Sequence, residues 1–584
     1  MKWFFRSVLI FLLVANAKSD WAKKLEEEIA TYIKTGDSGS LKDVIDKVFE
    51  AKKEDFTENN AYCISCKVVA NAAVDLRKSG ADNNVFGNFL KNMCKIFSFS
   101  GEKTCSGLID ISLNSWLHIL DNKKITGERI CSIRLQHKNC QDPSYTPWHI
   151  NIPEGKTKLL PKTKVGKLKK ILQLSDVHYD AFYKPGSNAN CGESLCCESD
   201  SGEPKSDDEA AGYWGDYHEC DIPWHTIENA LTEMKQRHPD VDRVYFTGDI
   251  VSHQTWATSV EKNSNIVKTF LKKLKEAFGN TPVYPILGNH EPHPVDLFPP
   301  LDVKDELSMQ WLYDLIADEW TQWLPKETKD SIRKGGYYTV LVKPGFRIIA
   351  INSNVCFTNN AWLAYDDRDP LNQLQWLADA LFEAEKNDEA VHILSHVPPG
   401  DDECIKQWAH EYRRIIERFH GIITEQFNGH THMDELKIFY DPNDDDRVIH
   451  VANNGGSLTT FVSVNPNYKI YYIEEGQNRV LDYDTWTYDL PEANKNNSKP
   501  NWFKLYSFKD AYEMDNLDGD SFHKLLKKMA NNPSLLEKYE SFRTRNSSKL
   551  VQAHYDKEYL DKVLCSITSV EYTYPKECKV FKNT

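Results

Sequence analysis

Five short stretches decide the fold of this 584-residue chain: LQLSDVH (172–178), VYFTGDI (244–250), YPILGNHE (284–291), VHILSHVPP (391–399) and FNGHTH (427–432). Each contains an apolar, strand-like run that is followed at once by polar residues. Because ligands bind outside the carboxyl ends of strands in open α/β sheets, we expect the five polar clusters to meet at one edge. The sequence therefore predicts an α/β fold with a polar site at its strand ends.

The polar residues of these stretches are oxygen and imidazole donors, namely Asp176, His178, Asp249, Asn289, His396, His430 and His432. Such donors suit borderline or hard divalent ions. One carboxylate placed between two ions can bridge them, and a two-metal clamp suits in-line displacement at phosphorus. A single histidine among the 19 in this chain would more often be a core or surface residue. The prediction therefore depends on the ordered set as a whole.

The order DxH, GDxx, GNHE, a lone His and GHxH resembles that of the calcineurin-like metallophosphoesterases. The resemblance implies that Asp176, His178 and His432 hold one metal ion. It implies likewise that Asn289, His396 and His430 hold the second ion. Asp249 then lies between the two ions as a bridge.

Two histidines are candidates for the acid that protonates the leaving alkoxide after hydroxide attacks phosphorus. His290 is the catalytic histidine that the resemblance implies, and His253 lies four residues past Asp249 in GDIVSH. His253 has two alternatives, orienting Asp249 from behind or beginning a helix. We expect Glu291 to orient a ligand rather than to take part in the chemistry.

The N-terminus, residues 1–17, has the pattern of a secretory signal, with Lys2 and Arg6 before the apolar VLIFLLVA and Ala15-Asn16-Ala17 at the cleavage position. The alternative is a buried N-terminal helix. The apolar run is too short to span a bilayer, and no later run reaches the ~18 residues that a membrane helix needs. We therefore expect an exported protein without a transmembrane segment.

Fourteen cysteines, an even number, indicate disulfides formed in an oxidising compartment. Six lie between Cys63 and Cys140, and a zinc knuckle at Cys63-x-x-Cys66 is the weaker alternative because no second CxxC follows at a suitable spacing. The other eight are Cys191, Cys196, Cys197 and Cys220 and the pairs Cys356/Cys404 and Cys565/Cys578. Asn496 and Asn546 lie in glycosylation sequons.

The segment 59–142 combines six cysteines with helical apolar runs such as VVANAAVDL and LIDISLNSWLHIL. It resembles a saposin B-type domain, which implies a lipid-interacting helical fold. The resemblance also implies the pairs Cys63–Cys140, Cys66–Cys131 and Cys94–Cys105, whereas the sequence alone leaves fifteen pairings open. The simpler alternative is a helical domain that only packs against its neighbour.

Charge is distributed unevenly along the chain. From Cys63 to Cys140 there are 11 Lys/Arg and 6 Asp/Glu, a net charge of +5, so the rest carries −20 of the total of −15. The asymmetry favours contact of the cysteine-rich segment with an anionic lipid surface. The overall negative charge argues against nucleic acid as a partner, and it suits an acidic compartment.

The remaining segments complete the predicted organisation: a signal peptide (1–17), an N-terminal helical segment (18–58), the saposin B-type domain (59–142), a proline-containing linker (143–165), a metallophosphoesterase domain (166–487) and a helical C-terminal subdomain (488–584). Strand and helix patterns alternate from about Val165, as in a layered α/β sheet. The predicted fold class is α/β: a layered β-sandwich flanked by helices, with a small all-α disulfide-rich domain.

This order of domains, together with segments such as WGDYHECDIPW, DPLNQLQWL and DYDTWTYDL, resembles the acid sphingomyelinase family. The resemblance implies hydrolysis of sphingomyelin, a membrane lipid, to ceramide and phosphocholine with two zinc ions, in a secreted protein of the lysosome or the extracellular space. The chain departs from the family in its C-terminal region, where only Cys565 and Cys578 occur and the family can carry more cysteines.

Two other functions stay open at this point. One is a secreted phosphodiesterase that acts on nucleotides or other head groups. The other is a lipid-binding protein whose esterase part is a relic, although such a relic should have lost some of the seven metal ligands.

Overall fold

The structure is a computed structural model, and it describes residues 22–36, 58–97, 101–160, 166–495, 497–552 and 554–571. The predicted signal sequence, most of the helical segment between it and residue 58, Asn496 and Cys578 lie outside these residues. The chain divides into two compact units: Met1–Pro147 with Ala361–Asp367, and Trp148–Asn360 with Arg368–Thr584.

The first unit is helical. Its helices are 22–35, Glu58–Lys78, Asn83–Phe97, Glu102–Asn122 and Gly127–Arg134. They are joined by the disulfides Cys63–Cys140, Cys66–Cys131 and Cys94–Cys105, which are the pairs that the resemblance implies. Since the two cysteines of the CxxC stretch belong to different disulfides, the zinc-knuckle alternative is wrong.

The core of this unit joins the N-terminal helix to the cysteine-rich helices. Leu25 and Ile29 are buried together with Val68, Phe86 and Phe89. An apolar cavity of about 480 Å³ also lies among the helices, and its lining includes Val69, Leu90, Phe97, Ile109, Trp116 and Leu120. The helical apolar periodicity thus produces both a core and a cavity.

A short segment from far along the chain also belongs to the first unit. The helix Trp362–Tyr365 brings Trp362 into a buried position. The guanidinium of Arg129 donates to the carbonyl oxygen of Leu363 at 2.8 Å and to the carboxylate of Asp367 at 2.6 Å. No local sequence pattern predicts this contact.

The described residues of the second unit form twelve strands. They are β1 Leu168–Leu174, β2 Arg243–Phe246, β3 Val283–Pro285, β4 Tyr338–Lys343, β5 Phe346–Ala350, β6 Ala390–Leu394, β7 Ile423–Asn428, β8 Leu436–Asp441, β9 Asp444–Asn454, β10 Asn467–Glu474, β11 Val480–Thr487 and β12 Phe503–Ser507. They form two six-stranded sheets, in the orders β12-β11-β10-β1-β2-β3 and β4-β5-β6-β7-β9-β8.

The two sheets pack against each other through buried side chains. Tyr245 of β2 lies with its hydroxyl 2.8 Å from Nδ1 of His392 in β6. Its ring centroid lies 4.9 Å from that of Phe427 in β7. Strands β1, β2 and β3 are parallel in one sheet and β5, β6 and β7 in the other, so three carboxyl ends of each sheet can serve one site.

Helices flank the sheets: Trp224–Arg237, Val260–Phe278, Gln310–Trp320, Lys329–Gly335, Gln373–Lys386 and Lys406–Phe419. Some helix starts carry a side-chain cap. Ser259, for example, accepts a hydrogen bond from the backbone nitrogen of Lys262 at the start of Val260–Phe278. Disulfides with both cysteines among the described residues of this unit are Cys191–Cys196, Cys197–Cys220 and Cys356–Cys404.

The region after residue 487 is helical, with one strand among the helices. The helices are Leu490–Lys495, Phe508–Tyr512, Gly519–Asn531, Pro533–Arg543 and Lys557–Thr568. Strand β12 pairs antiparallel with β11, so the sheet extends beyond the predicted boundary. The predicted fold class, α/β with a small disulfide-rich helical part, is confirmed.

Within the described residues, no helix combines the length and the apolar character needed to cross a membrane.

Candidate metal centre

All five predicted motifs follow the carboxyl end of a strand. Asp176 follows β1, Asp249 follows β2, Asn289 follows β3, His396 follows β6 and the pair His430 and His432 follows β7. The two sheets together bring these seven residues to one place. The five clusters that are far apart in the sequence are therefore neighbours in the structure.

Three of the residues form the first set of possible ligands. Nε2 of His432 lies 3.1 Å from Nε2 of His178 and 3.6 Å from a carboxylate oxygen of Asp176. His178 donates through Nδ1 to the carbonyl oxygen of Val251 at 2.8 Å, so its Nε2 carries the lone pair. This set is the one that the resemblance implies for the first ion.

Three other residues form the second set. The side-chain oxygen of Asn289 lies 3.0 Å from Nε2 of His396 and 3.0 Å from Nδ1 of His430. Its amide nitrogen donates to Asp296 at 2.8 Å, which turns the oxygen towards the histidines. His396 donates through Nδ1 to the carbonyl oxygen of Thr247 at 2.7 Å.

Asp249 lies between the two sets. One carboxylate oxygen, Oδ2, is 3.4 Å from Nε2 of His178 and 3.1 Å from Nε2 of His396. The other oxygen accepts a hydrogen bond from the backbone nitrogen of His290 at 2.9 Å. A single oxygen that faces both sets has the position that a bridging ligand requires.

The backbone at this site is strained. Asp176, His178, Asp249, His430 and His432 all have φ between 42° and 75°, in the left-handed region that side-chain-bearing residues seldom adopt. Such strain persists only where the surroundings impose it, and it concentrates at functional sites. A Cβ atom at Gly288 would lie 2.0 Å from Oδ1 of Asp249, so the close approach of this loop to the carboxylate requires glycine.

Glu291 holds two of these loops together. Its carboxylate accepts hydrogen bonds from the backbone nitrogens of Gly288 and Ile250, both at 2.5 Å, and from that of Asp249 at 3.3 Å. A residue with these contacts orients the loops that carry Asn289 and Asp249.

The charges of the site favour a bound cation. Burial, together with the neighbouring His253, lowers the pKa of His178 to about 4. Burial also lowers the pKa of His432, so both rings are neutral, as imidazole ligands must be. At His396 burial opposes the charge, but Asp249 and Asp176 outweigh it and raise the pKa to about 9. The donor atoms, their orientation and this demand for positive charge fit bound divalent ions.

The two candidate acids lie beside the first set. The ring centroid of His253 is 4.1 Å from that of His178 and 4.5 Å from that of His290. Nδ1 of His290 faces the carbonyl oxygen of Ser252 at 3.2 Å. The Nδ1 atom of His253 faces a different carboxylate from that of Asp249.

That carboxylate belongs to Asp221, which the sequence does not single out. It lies 2.8 Å from Nδ1 of His253 and also accepts the backbone nitrogen of His253 at 2.6 Å. Asp221 is fully buried, and burial raises its pKa to about 6. Since the two residues are 32 positions apart, no local spacing connects them.

Asn546 is exposed on the surface of the second unit, which is compatible with the sequon. Asn496, in the other sequon, lies outside the described residues.

Comparisons with known proteins agree with this geometry. Residues 169–434 match the sequence model of the calcineurin-like phosphoesterases, which defines the class of the second unit. Sphingomyelin phosphodiesterase of Bos taurus is 33% identical, over 82% of this chain and 78% of that protein. Sphingomyelin phosphodiesterase 1 of Caenorhabditis elegans is 34% identical, over 83% and 88% of the two chains.

A further relative covers less of the chain. Acid sphingomyelinase-like phosphodiesterase 3b of Homo sapiens is 31% identical, over 63% of this chain and 82% of that protein. The chain belongs to the sphingomyelin phosphodiesterase family. The enzyme class predicted from the sequence, a phosphoric diester hydrolase, is thereby confirmed.

Proposed function

We propose that this protein hydrolyses sphingomyelin to ceramide and phosphocholine with the aid of two zinc ions. The observation that carries the proposal is the convergence of seven oxygen and nitrogen donors on two sets that share one oxygen of Asp249. The names of the relatives from Bos taurus and Caenorhabditis elegans supply the substrate.

The first zinc ion would be held by Asp176, His178 and His432, and the second by Asn289, His396 and His430, with Asp249 between them. A pair of bound divalent ions supplies Lewis-acid polarisation of phosphoryl oxygens and a water of lowered pKa. Nitrogen and oxygen donors without thiolate suit zinc in a hydrolytic site.

The residues of the chain supply the proton that the reaction needs. The oxygen of water forms a new bond to phosphorus, the bond from phosphorus to the ceramide oxygen breaks, and the leaving alkoxide takes a proton. His290 is the first candidate donor, because its Nδ1 atom faces the carbonyl oxygen of Ser252 and leaves Nε2 for the substrate. His253 is the second, and its Nδ1 atom faces the carboxylate of Asp221, which orients the ring.

The first unit would contact the lipid. Its helices enclose an apolar cavity of about 480 Å³, a volume within the usual range of small-ligand sites. A lipid acyl chain would suit the apolar lining of this cavity. The net charge of +5 from Cys63 to Cys140 would attract an anionic membrane surface, with each basic residue near it contributing about 1 kcal/mol.

We place the protein in the lysosome or outside the cell. Six disulfides within the described residues suit an oxidising compartment. The signal-like residues 1–17 support export.

The direct test compares substrates and metals. The purified protein is assayed on sphingomyelin vesicles, on nucleotide phosphodiesters and on p-nitrophenyl phosphodiesters, each with zinc and with a chelator. We expect chelator-sensitive turnover of sphingomyelin to exceed that of the nucleotide substrates. Preference for nucleotides would favour the alternative phosphodiesterase, and lipid binding without turnover of any substrate would favour the non-catalytic alternative.

A further inference from the structure

His430 differs from the other histidines of the metal centre in what holds its ring. His178, His396 and His432 face backbone carbonyl oxygens through Nδ1, those of Val251, Thr247 and Phe461. The outer nitrogen of His430, Nε2, instead lies 3.3 Å from a carboxylate oxygen of Glu403. A side chain therefore orients the ring of His430, whereas backbone carbonyl oxygens orient the other three rings.

The tautomer of His430 follows from these contacts. Its Nδ1 atom faces the side-chain oxygen of Asn289 at 3.0 Å, on the side where the second ion would be held. A ligating Nδ1 must be unprotonated, so the ring proton lies on Nε2 and is donated to Glu403. Carboxylate–histidine–metal arrangements fix the ring and make the ligating nitrogen more basic.

The loop that carries Glu403 is anchored to the segment 356–358 by two contacts. The backbone carbonyl of Glu403 accepts the nitrogen of Thr358 at 2.6 Å, and the next residue forms the disulfide Cys356–Cys404. Phe357 lies between Cys356 and Thr358 and packs its ring edge-on against His430, with a centroid distance of 5.0 Å. The loop is thus fixed against the ring that Glu403 contacts.

We infer that Glu403 is a positioning residue for the second metal ion, acting through His430. The inference deepens the proposed function and rests on it, because it requires an ion at Asn289, His396 and His430. Neither the order of the motifs nor the calcineurin-like pattern points to Glu403, which lies 27 residues before His430 in an acidic run, Asp401-Asp402-Glu403.

The size of the effect follows from exposure. The side chain of Glu403 is 50% exposed and that of His430 is 8% exposed, so water weakens the contribution of the carboxylate. We therefore expect the lower part of the ~10–100-fold range in metal affinity that outer partners of metal ligands provide. The affinity for the ion that His430 holds should decrease, and the affinity for the other ion should not change.

The test measures binding of zinc ions to the full-length apo-protein, with two variants of the position. Glu403→Gln keeps an acceptor and loses the charge, whereas Glu403→Ala loses both. Asp402→Asn is the matched control, because it removes the same charge from the adjacent exposed residue. Zinc affinity is measured by competition with a chelator, and thermal unfolding of each apo-variant checks the fold.

We expect one of the two zinc dissociation constants to rise about 10-fold in Glu403→Ala, less in Glu403→Gln and not in Asp402→Asn. The turnover lost in Glu403→Ala at limiting zinc should return at excess zinc. If the unchanged protein binds two ions and both Glu403 variants retain both dissociation constants, the role of Glu403 is wrong while the proposed function stands. If the unchanged protein binds no zinc, both are wrong.

Discussion

Nδ1 of His253 lies 2.8 Å from the buried carboxylate of Asp221, and the ring of His253 stacks on Phe461 with a centroid distance of 3.7 Å. The histidine is therefore held on one edge and one face. A ring nitrogen of His253 lies within 4.8 Å of ring nitrogens of His178 and His290. The contact with Asp221 therefore provides an oriented imidazole beside the candidate metal ligands.

Asp221→Asn should lower the turnover number for sphingomyelin by about 10²-fold, at the lower end of what acid–base catalysis contributes. The reason is that the amide keeps the shape of Asp221 but loses the carboxylate that fixes the orientation and the tautomer of His253. Zinc content should not change. Thr459→Val is the control, because it removes the hydroxyl that also donates to Asp221 at 3.0 Å and should cost much less. Full turnover in Asp221→Asn would exclude a catalytic role of the pair.

His290→Ala should separate proton donation from support of the metals. The turnover of sphingomyelin should fall on the order of 10²–10⁴-fold, because the ceramide alkoxide needs a proton to leave. The loss should be far smaller for a p-nitrophenyl phosphodiester, whose leaving group needs none. Equal losses on the two substrates would assign His290 to support of the metal centre instead.

Ile109→Asp places a charge in the apolar cavity of the first unit, where Ile109 lies among Leu90 and Trp116. Turnover of sphingomyelin in vesicles should fall at least 10-fold, since an unpaired charge in an apolar cavity costs several kcal/mol. Turnover of a dispersed short-chain substrate should stay unchanged. Asn114→Asp adds the same charge at an exposed position of the same helix as a control. A parallel loss on both substrates would contradict lipid contact through the cavity.

Stability should depend on pH through Glu425, a buried residue whose carboxylate accepts the backbone nitrogen of Val480. Burial raises the pKa of Glu425 to about 7 from its ordinary 4.5, so the folded protein binds this proton more tightly than the unfolded chain. The contribution of Glu425 to the free energy of unfolding is therefore complete below pH 4.5. It is lost as the pH rises through 7, which lowers the free energy of unfolding by up to about 3 kcal/mol.

Glu425→Gln mimics the protonated form, so the Tm of the variant should exceed that of the unchanged protein at pH 8 and approach it at pH 4.5. Glu475→Gln, on an exposed side chain, is the control for loss of charge. A difference in Tm between Glu425→Gln and the unchanged protein that does not vary with pH would show that Glu425 does not titrate in this range.

Much of the arrangement of the candidate site could be predicted because each candidate ligand follows a strand that an apolar run marks. The loops after β1, β2, β3, β6 and β7 each carry donors in a short motif, and the parallel order of the strands brings them together. Asp221 and Glu403 could not be predicted in the same way. Each contacts a histidine about thirty residues further along the chain. Each contact depends on a loop conformation, and loops have no periodic pattern in the sequence.

The C-terminal region also differs from what its sequence pattern predicts. The run SFHKLLKKMANNPSLLEKYESF has a continuous helical pattern, but the structure divides it into Gly519–Asn531 and Pro533–Arg543. Pro533 has no backbone N–H to continue the first helix and instead begins the second. Strand β12 is only five residues long, Phe503–Ser507, and its pairing with β11 determines it more than its own sequence does.

Metal content combined with turnover in Asp249→Asn tests whether two metal ions share Asp249. The substitution keeps the size of the side chain but removes the charge between His178 and His396. Asp296→Asn, beside Asn289, is a milder comparison, because only one ligand depends on it. We predict that Asp249→Asn folds normally, loses bound zinc and does not hydrolyse sphingomyelin. A folded Asp249→Asn variant that retains two zinc ions and near-normal turnover would contradict the account.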